Sequence, residues 1–290
     1  LRPHAVIRRA GSTLALLAAL LCACDKAPPP TEIDAPQRVI ALAPHLAELM
    51  YEIGAGDLLV GATSWSDYPP EVRKLPVIGD AFALDHERLA LLEPELLLAW
   101  ESGTPGHVID ELRRSGYHVV VIRTRSADDI ADAMLKLGRL VSRTDASQAA
   151  ARAYRAQLAA IRDEHRDAPP IRVFYQASTR PLYTINSEHF LSDLIAACGG
   201  QNIFDDLGDL APAVADEAVI ARDPEVMIAG DKSADDPFAD WYRWPEISAI
   251  RYGNHFTIDW DLASRPAPRL LLAAEEICSV LDEARKNRDM

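Results

Sequence analysis

The sequence has few cysteines, no long apolar run and a deficit of basic residues, and each shortage excludes a class of protein. Four cysteines in 290 residues are too few for a disulfide scaffold, and none has the CxxC spacing of zinc ligands. No apolar run reaches the roughly 18 residues that a spanning helix needs, which excludes a multi-pass membrane protein. The 30 basic residues face 44 acidic ones, a net charge of −14, so we expect no nucleic-acid partner.

Catalytic signatures are also missing from the sequence. The GxSxG, HExxH, P-loop and GxGxxG motifs do not occur, so we expect no catalytic residues and no enzyme. The composition that is present favours a folded protein, because 49% of the residues are apolar and 26% are charged. That balance supports a packed core and excludes a disordered chain, and the length allows two domains of ordinary size.

The first 36 residues predict an export signal and a tether that precede the fold. Three arginines are followed by a short apolar run at 13–21 and then by Leu-Cys-Ala-Cys, which ends at Cys24. This order is typical of a secretory signal over residues 1–23, and its end resembles a bacterial lipobox. We expect either lipidation of Cys24 or plain soluble secretion, followed by a Pro-rich, extended tether over residues 24–36.

Export to an oxidising compartment changes what the remaining cysteines predict. If Cys24 carries lipid, Cys198 and Cys278 are left as a pair 80 positions apart. In an exported protein such a pair favours a disulfide, the alternative being two buried free thiols.

From residue 38 onwards, short apolar segments alternate with helical ones, which predicts parallel βαβ units. Residues 86–99 match residues 216–229 without a gap, at a constant offset of 130 positions (86 to 216). Any helix–Pro–Glu–strand unit resembles another to some extent, but the ungapped register favours two duplicated lobes. Between them, residues 142–166 lack Gly and Pro and predict one long helix of about 20 residues.

The predicted fold is therefore α/β, with two Rossmann-like lobes joined by one long α-helix and a ligand cleft between the lobes. The expected boundaries are 37–141 for the N-terminal lobe, 142–168 for the linking helix and 169–290 for the C-terminal lobe.

Aromatic residues mark the carboxyl ends of predicted strands. Trp65, Trp100 and Trp260 each follow such a strand, and Tyr183 lies in a short segment of the second lobe. Ligands of open α/β sheets bind at these ends, so the pattern predicts a wide aromatic-lined site for a flat ligand. Ordinary packing between the lobes is expected of the remaining tryptophans, Trp241 and Trp244.

From residue 38 to about residue 281, the chain resembles the periplasmic cobalamin-binding proteins of bacterial ABC importers, which are long-helix substrate-binding proteins. The matching motifs are SWSDYPP at 64–70, HERLALLEPELLLAW at 86–100, CGGQNIF at 198–204, IDW at 258–260, RPAPR at 265–269 and LAAEEIC at 272–278. The resemblance implies a transported corrinoid rather than a cofactor, no metal-ligating side chain, and a bridge between Cys198 and Cys278. It places five residues against the corrinoid: Trp65, Trp100, Tyr183, Asp259 and Arg265.

The same resemblance implies that Asp259 and Arg265 supply polar groups to the ligand and pair with each other when the site is empty. The sequence departs from the family at residues 80–82 and at Ala211, where the family has tryptophans, and by a gap of two residues between Trp260 and Arg265. A haem or an iron–siderophore is therefore the alternative ligand, and an exported enzyme using the same cleft is a distant one.

Glu87 and Glu217 occupy equivalent positions in the repeat, each near the start of a predicted helix. The helix dipole alone accounts for one such carboxylate, but not for its recurrence in both lobes. The resemblance implies that both glutamates dock on the permease dimer of the importer. It also implies a periplasmic monomer, which is anchored to a membrane if Cys24 is acylated. His45 precedes a predicted helix, where we expect it to cap the helix or face solvent rather than bind a ligand.

Overall fold

Two four-stranded parallel sheets organise the chain, and a computed structural model describes them over residues 35–231 and 235–288. The predicted signal sequence, Cys24 and nearly all of the predicted tether lie outside these residues. Within the described part of the chain, no helix is long and apolar enough to cross a membrane.

The first sheet has the strand order β2-β1-β3-β4, and all of its pairs are parallel. Its strands are β1 (Val39–Ala41), β2 (Leu59–Ala62), β3 (Leu96–Trp100) and β4 (Val119–Ile122). Its helices are α1 (Pro44–Glu52), α2 (His86–Leu91), α3 (Gly106–Arg114) and α4 (Ala127–Leu140). The central strand β3 reads as an unbroken apolar run because both faces of a covered parallel sheet are buried.

The second sheet has the order β8-β5-β9-β10, again with parallel pairs. Its strands are β5 (Ile171–Gln176), β8 (Gly200–Asn202), β9 (Val226–Asp231) and β10 (His255–Asp259), and a small hairpin is formed by β6 (Ser178–Thr179) and β7 (Leu182–Tyr183). Its helices are α6 (Phe190–Ala197), α7 (Asp216–Arg222), α8 (Ser248–Arg251), α9 (Trp260–Ala263) and α10 (Leu270–Arg288).

The repeat predicted from the sequence is visible in backbone detail. In each lobe the helix before the third strand of the lobe ends at a non-glycine residue with positive φ, Glu93 at 43° and Asp223 at 42°. An arginine at the start of the first strand donates to the carbonyl oxygen of that residue, Arg38 in one lobe and Arg172 in the other. The two sheets also share one strand order, so the chain contains two copies of the same α/β unit.

One helix, α5 (Thr144–Glu164), joins the two lobes. Its 21 residues confirm the predicted linking helix, and its buried side chains, such as Ala151, Tyr154 and Leu158, recur at helical spacing on one face. In the second lobe, a disulfide joins Cys198, just after α6, to Cys278 in α10, with 4.9 Å between the Cα atoms. The structure therefore confirms the predicted disulfide.

Candidate ligand-binding cleft

The carboxyl ends of the two sheets face each other across a cleft, and ion pairs cross it at two places. Arg125, which follows β4, pairs with Glu101 at the end of β3 and with Glu188 in the segment before α6. Arg265, which follows α9, pairs with Glu48 in α1. The lobes are thus held together on two sides, with the strand ends between them.

Trp65 lies in the loop after β2, where its backbone has a φ of 69° and its side chain is 80% exposed. The preceding Ser64 donates through both its backbone N–H and its hydroxyl to the carbonyl of Gly79. This bond joins the Trp65 loop to the neighbouring loop that carries Phe82, which is also highly exposed.

Trp100 ends β3 and is half-buried, with its indole edge-to-face against the ring of His45, 4.8 Å between centroids. A Cβ on Gly103 would lie only 2.1 Å from Cε3 of this indole, so the glycine makes room for it. Among the described residues, Nε1 of Trp100 and Nε2 of His45 have no hydrogen-bond partner although both atoms are buried. Contacts on two sides therefore fix the indole at the floor of the cleft.

The expectation for His45 is wrong. Helix α1 has Ala43 as its N-cap and no side-chain cap, and the ring of His45 is buried beside Trp100 instead of facing solvent. Burial, and then the charge of Arg265, lower the pKa of His45 from 6.5 to about 3. The ring is therefore neutral at physiological pH. Elsewhere in the described residues, no group of three or more His, Cys, Asp or Glu side chains is arranged to hold a metal ion.

Tyr183 and Asp259 both lie on the second lobe. Tyr183 ends the β6–β7 hairpin and is 37% exposed. Asp259 ends β10, and its carboxylate accepts from the backbone N–H groups of Asp261 and Leu262, which caps α9. Near these strand ends, a cavity of about 670 Å³ opens beyond β5 and β9, with Trp260 in its wall.

The expected pairing of Asp259 with Arg265 is not formed. The Arg265 side chain is only 10% exposed, and it donates to Asp67 at 2.5 Å, to Glu48 at 3.2 Å and to the carbonyl of Trp65 at 3.2 Å. Burial lowers the pKa of Arg265, but the hydrogen bonds that it donates to Asp67 and Glu48 outweigh this effect and raise the pKa overall. The expected pair does not form because the Asp259 carboxylate caps α9, the helix that separates the two residues.

Four residues that contact Arg265 or belong to the same cluster of contacts were not predicted from the sequence: Glu48, Asp67, Tyr68 and Arg269. The Arg269 guanidinium lies 3.8 Å from the ring centre of Tyr68 and donates to Glu48. A signal for Glu48 does exist in the sequence, because it is the one acid within the buried stretch 45–50 of α1. Its partners are more than 200 positions away, so their identity could not be deduced from spacing.

Trp241 is buried, as expected, but it packs within the second lobe rather than between the lobes. Its ring lies edge-to-face against Phe174 and beside Trp244, and its indole N–H donates to Gln176. These two tryptophans therefore belong to the core of one lobe and not to the cleft.

Glu87 and Glu217 are the second residues of α2 and α7, at the same position in the repeat. Both are exposed, and neither forms an ion pair with another described residue. The N-cap of α2 is Asp85, whose side chain accepts from Arg88, so Glu87 is not needed to cap its helix.

A larger cavity, of about 850 Å³, lies along β8 beside the Arg125–Glu188 pair. Its wall includes three arginines, Arg123, Arg172 and Arg222. None of the residues predicted to bind ligand lines it, and its lining contains no aromatic residue.

Comparison with known proteins agrees with this architecture. A family model described as periplasmic binding protein matches residues 39–262. The vitamin B12-binding protein of Vibrio cholerae is 33% identical over 251 residues, 86% of this chain and 91% of that protein. The solved structure of the periplasmic vitamin B12 binding protein BtuF of Vibrio cholerae has a TM-score of 0.79 at 32% identity, and the match covers 87% of this chain and 99% of that one.

The fold is also that of the apo periplasmic heme-binding protein RhuT from Roseiflexus sp. RS-1, with a TM-score of 0.74 at 24% identity over 86% of this chain and 98% of that one. Because the family model spans most of the described residues and the Vibrio cholerae relative matches nearly end to end, this chain belongs to the periplasmic binding protein family.

Proposed function

We propose that the protein is the substrate-binding component of an ABC importer, and that it captures cobalamin or a related corrinoid and delivers it to the inner-membrane permease. The observation that carries the proposal is the position of three aromatic residues at strand ends: Trp65 follows β2, Trp100 ends β3, and Tyr183 ends β7 in the other lobe. We propose that they form one aromatic wall of the cleft. The similarity to the vitamin B12-binding protein of Vibrio cholerae supports the same ligand.

The chemistry of a corrinoid suits this wall. A corrin ring is broad and apolar on its faces and carries amides around its rim, so it needs flat walls with a few hydrogen-bonding groups at the edge. We assign the faces to Trp65, Trp100 and Tyr183 and the rim to Asp259 and Arg265. Arg265 contributes only the small part of its guanidinium that remains exposed, because its other donors are engaged.

A haem is a poorer match to the same cleft. Haem carries two propionate carboxylates, and the arginines beside the Trp65 loop, Arg265 and Arg269, are already engaged by Asp67 and Glu48. The net charge of −14 also repels the propionates. We therefore place haem and iron–siderophores behind corrinoids as ligands, and we assign the protein capture rather than catalysis.

Delivery requires a docking surface, which we assign to Glu87 and Glu217. Two equivalent exposed carboxylates, one on each lobe, form a pseudo-twofold surface that matches the true twofold axis of a permease dimer. Arginines on that dimer can each receive one carboxylate in a charge-assisted, bidentate pair. The lack of an ion-pair partner for either glutamate among the described residues supports this role.

We further propose that residues 1–23 are an export signal and that lipidation of Cys24 anchors a periplasmic monomer to a membrane through the tether 24–36. The lobes then occupy 37–141 and 169–290, with 142–168 as the linking helix.

Titration calorimetry with cobalamin, with cobinamide and with haem in parallel tests the proposed function. We expect one saturable site for the corrinoids and weaker or no binding of haem. Saturable binding of haem with no heat from either corrinoid would assign the cleft to the alternative ligand.

A further inference from the structure

Two arginines link a buried carboxylate of the first lobe to residues 64–69, the aromatic loop that carries Trp65 and Tyr68. Glu48 is on α1, its side chain is 3% exposed, and its helical neighbours Leu46, Leu49 and Met50 are fully buried. A lone carboxylate in such surroundings is strongly destabilising, so its presence requires charged partners.

Two arginines of the second lobe supply these partners. Arg265 donates to Glu48 through Nη1 at 3.2 Å, and Arg269 donates through Nε at 3.0 Å and Nη2 at 2.8 Å. Both arginines lie in the short segment before α10, so one carboxylate of the first lobe fixes two cations of the second.

The same two arginines hold the aromatic loop. Arg265 donates to the carboxylate of Asp67 and to the backbone carbonyl of Trp65, and Arg269 stacks on the ring of Tyr68. The backbone of Trp65 is in the left-handed region, which a bulky residue adopts only when its surroundings enforce it. Because the indole itself is 80% exposed, its direction depends on this backbone conformation.

We propose that Glu48 is a positioning residue for ligand binding. Its negative charge keeps Arg265 and Arg269 in place, and these arginines hold the backbone of Trp65 so that the indole is presented to the ligand. Without that charge, Arg265 keeps Asp67 and Asp261 as partners, but Arg269 has no ion-pair partner among the described residues, and the loop loses its fixed geometry. The ligand part of this inference rests on the proposed corrinoid function.

A double-mutant cycle separates this role from a purely structural one. We expect Glu48→Gln to weaken cobalamin binding about 5- to 20-fold in the wild-type background and equally in a Trp100→Ala background. In a Trp65→Ala background the same change should weaken binding less than twofold, because the residue through which Glu48 acts is gone. Equal factors in all three backgrounds, or no effect in the wild type, would overturn the proposal.

The matched control is Glu52→Gln, which removes an exposed carboxylate from the same helix. It should leave affinity unchanged. If Glu48→Gln does not fold, Arg269→Gln enters the same cycle, since it breaks the link to Tyr68 while Glu48 stays paired with Arg265.

A second measurement needs no ligand. Hydrogen–deuterium exchange of the peptide that covers residues 64–69 should accelerate in Glu48→Gln and not in Glu52→Gln. Unchanged exchange would refute the positioning role even if corrinoid binding is confirmed, whereas faster exchange in a protein that binds no corrinoid would refute only the proposed ligand.

Discussion

Replacing Trp100 with alanine should weaken corrinoid binding without unfolding the protein. The indole is held on one side by the ring of His45, 4.8 Å away, and on another by the backbone at Gly103, and it is only half-buried by the protein itself. The remaining surface is available to a ligand, so the substitution removes a fixed aromatic anchor. Such anchors contribute about 1–3 kcal/mol, which corresponds to an increase in Kd of about 5- to 150-fold.

The control for this prediction is Trp241→Ala. Trp241 is buried in the second lobe against Phe174 and donates to Gln176, so its loss creates a cavity and lowers the free energy of unfolding by about 3–5 kcal/mol. We expect calorimetry well below Tm to show unchanged affinity for this variant. Trp65→Ala should resemble Trp100→Ala in affinity and cost little stability, because its indole is exposed.

The result that would refute the reasoning is the reverse pattern. If Trp241→Ala weakens binding while Trp100→Ala does not, the ligand does not lie at the strand ends of the first lobe. The aromatic wall would then have to be sought around the core of the second lobe.

Three further predictions concern the disulfide, docking and pH. Thiol titration of the denatured, unreduced protein should find Cys198 and Cys278 blocked, and two free thiols would contradict the structure. Removing the disulfide should lower the free energy of unfolding by about 4 kcal/mol. Replacing both Glu87 and Glu217 with Arg should abolish uptake of the ligand by cells, while the affinity of the isolated protein for the ligand is unchanged. Either substitution alone should reduce uptake only partly, because exposed ion pairs are weak. Normal uptake by the double variant would exclude this docking surface. Burial lowers the pKa of His45 to about 3, so below about pH 6.5 the unfolded chain takes up a proton there that the folded chain does not. The free energy of unfolding should therefore fall as the pH drops from 6.5 to 3, by up to about 1.4 kcal/mol per pH unit from this group. Denaturant titrations of His45→Gln should show a shallower fall with pH, and an unchanged pH dependence would mean that the ring is not buried in solution.

The architecture could be predicted from the sequence because its signals are local. Both lobes contain the same helix–Pro–Glu–strand sequence pattern. The structure places Glu93 and Asp223, 130 positions apart, at the same turn with nearly equal φ values. The linking helix was predictable because residues 144–164 contain neither Gly nor Pro, and α5 occupies them. The positions of Trp65 and Trp100 followed from their places just after apolar strands.

The polar part of the cleft could not be predicted, since it depends on contacts between distant segments. Glu48 and Arg269 are brought together only when the two lobes pack. Two expectations were wrong for the same reason: His45 packs against Trp100, and Arg265 turns to the first lobe instead of to Asp259, as the resemblance had implied. A local pattern identifies which residues lie at the strand ends, but packing decides which of them pair.

The most direct test of the central claim is an absorption spectrum. The purified protein is incubated with cobalamin, passed through a desalting column and scanned in the visible range. Parallel samples receive haem, an iron–siderophore or no ligand. Our account predicts that corrin bands stay with the protein at close to one ligand per chain. Corrin bands that are lost on the column, with haem or siderophore bands retained, would contradict it.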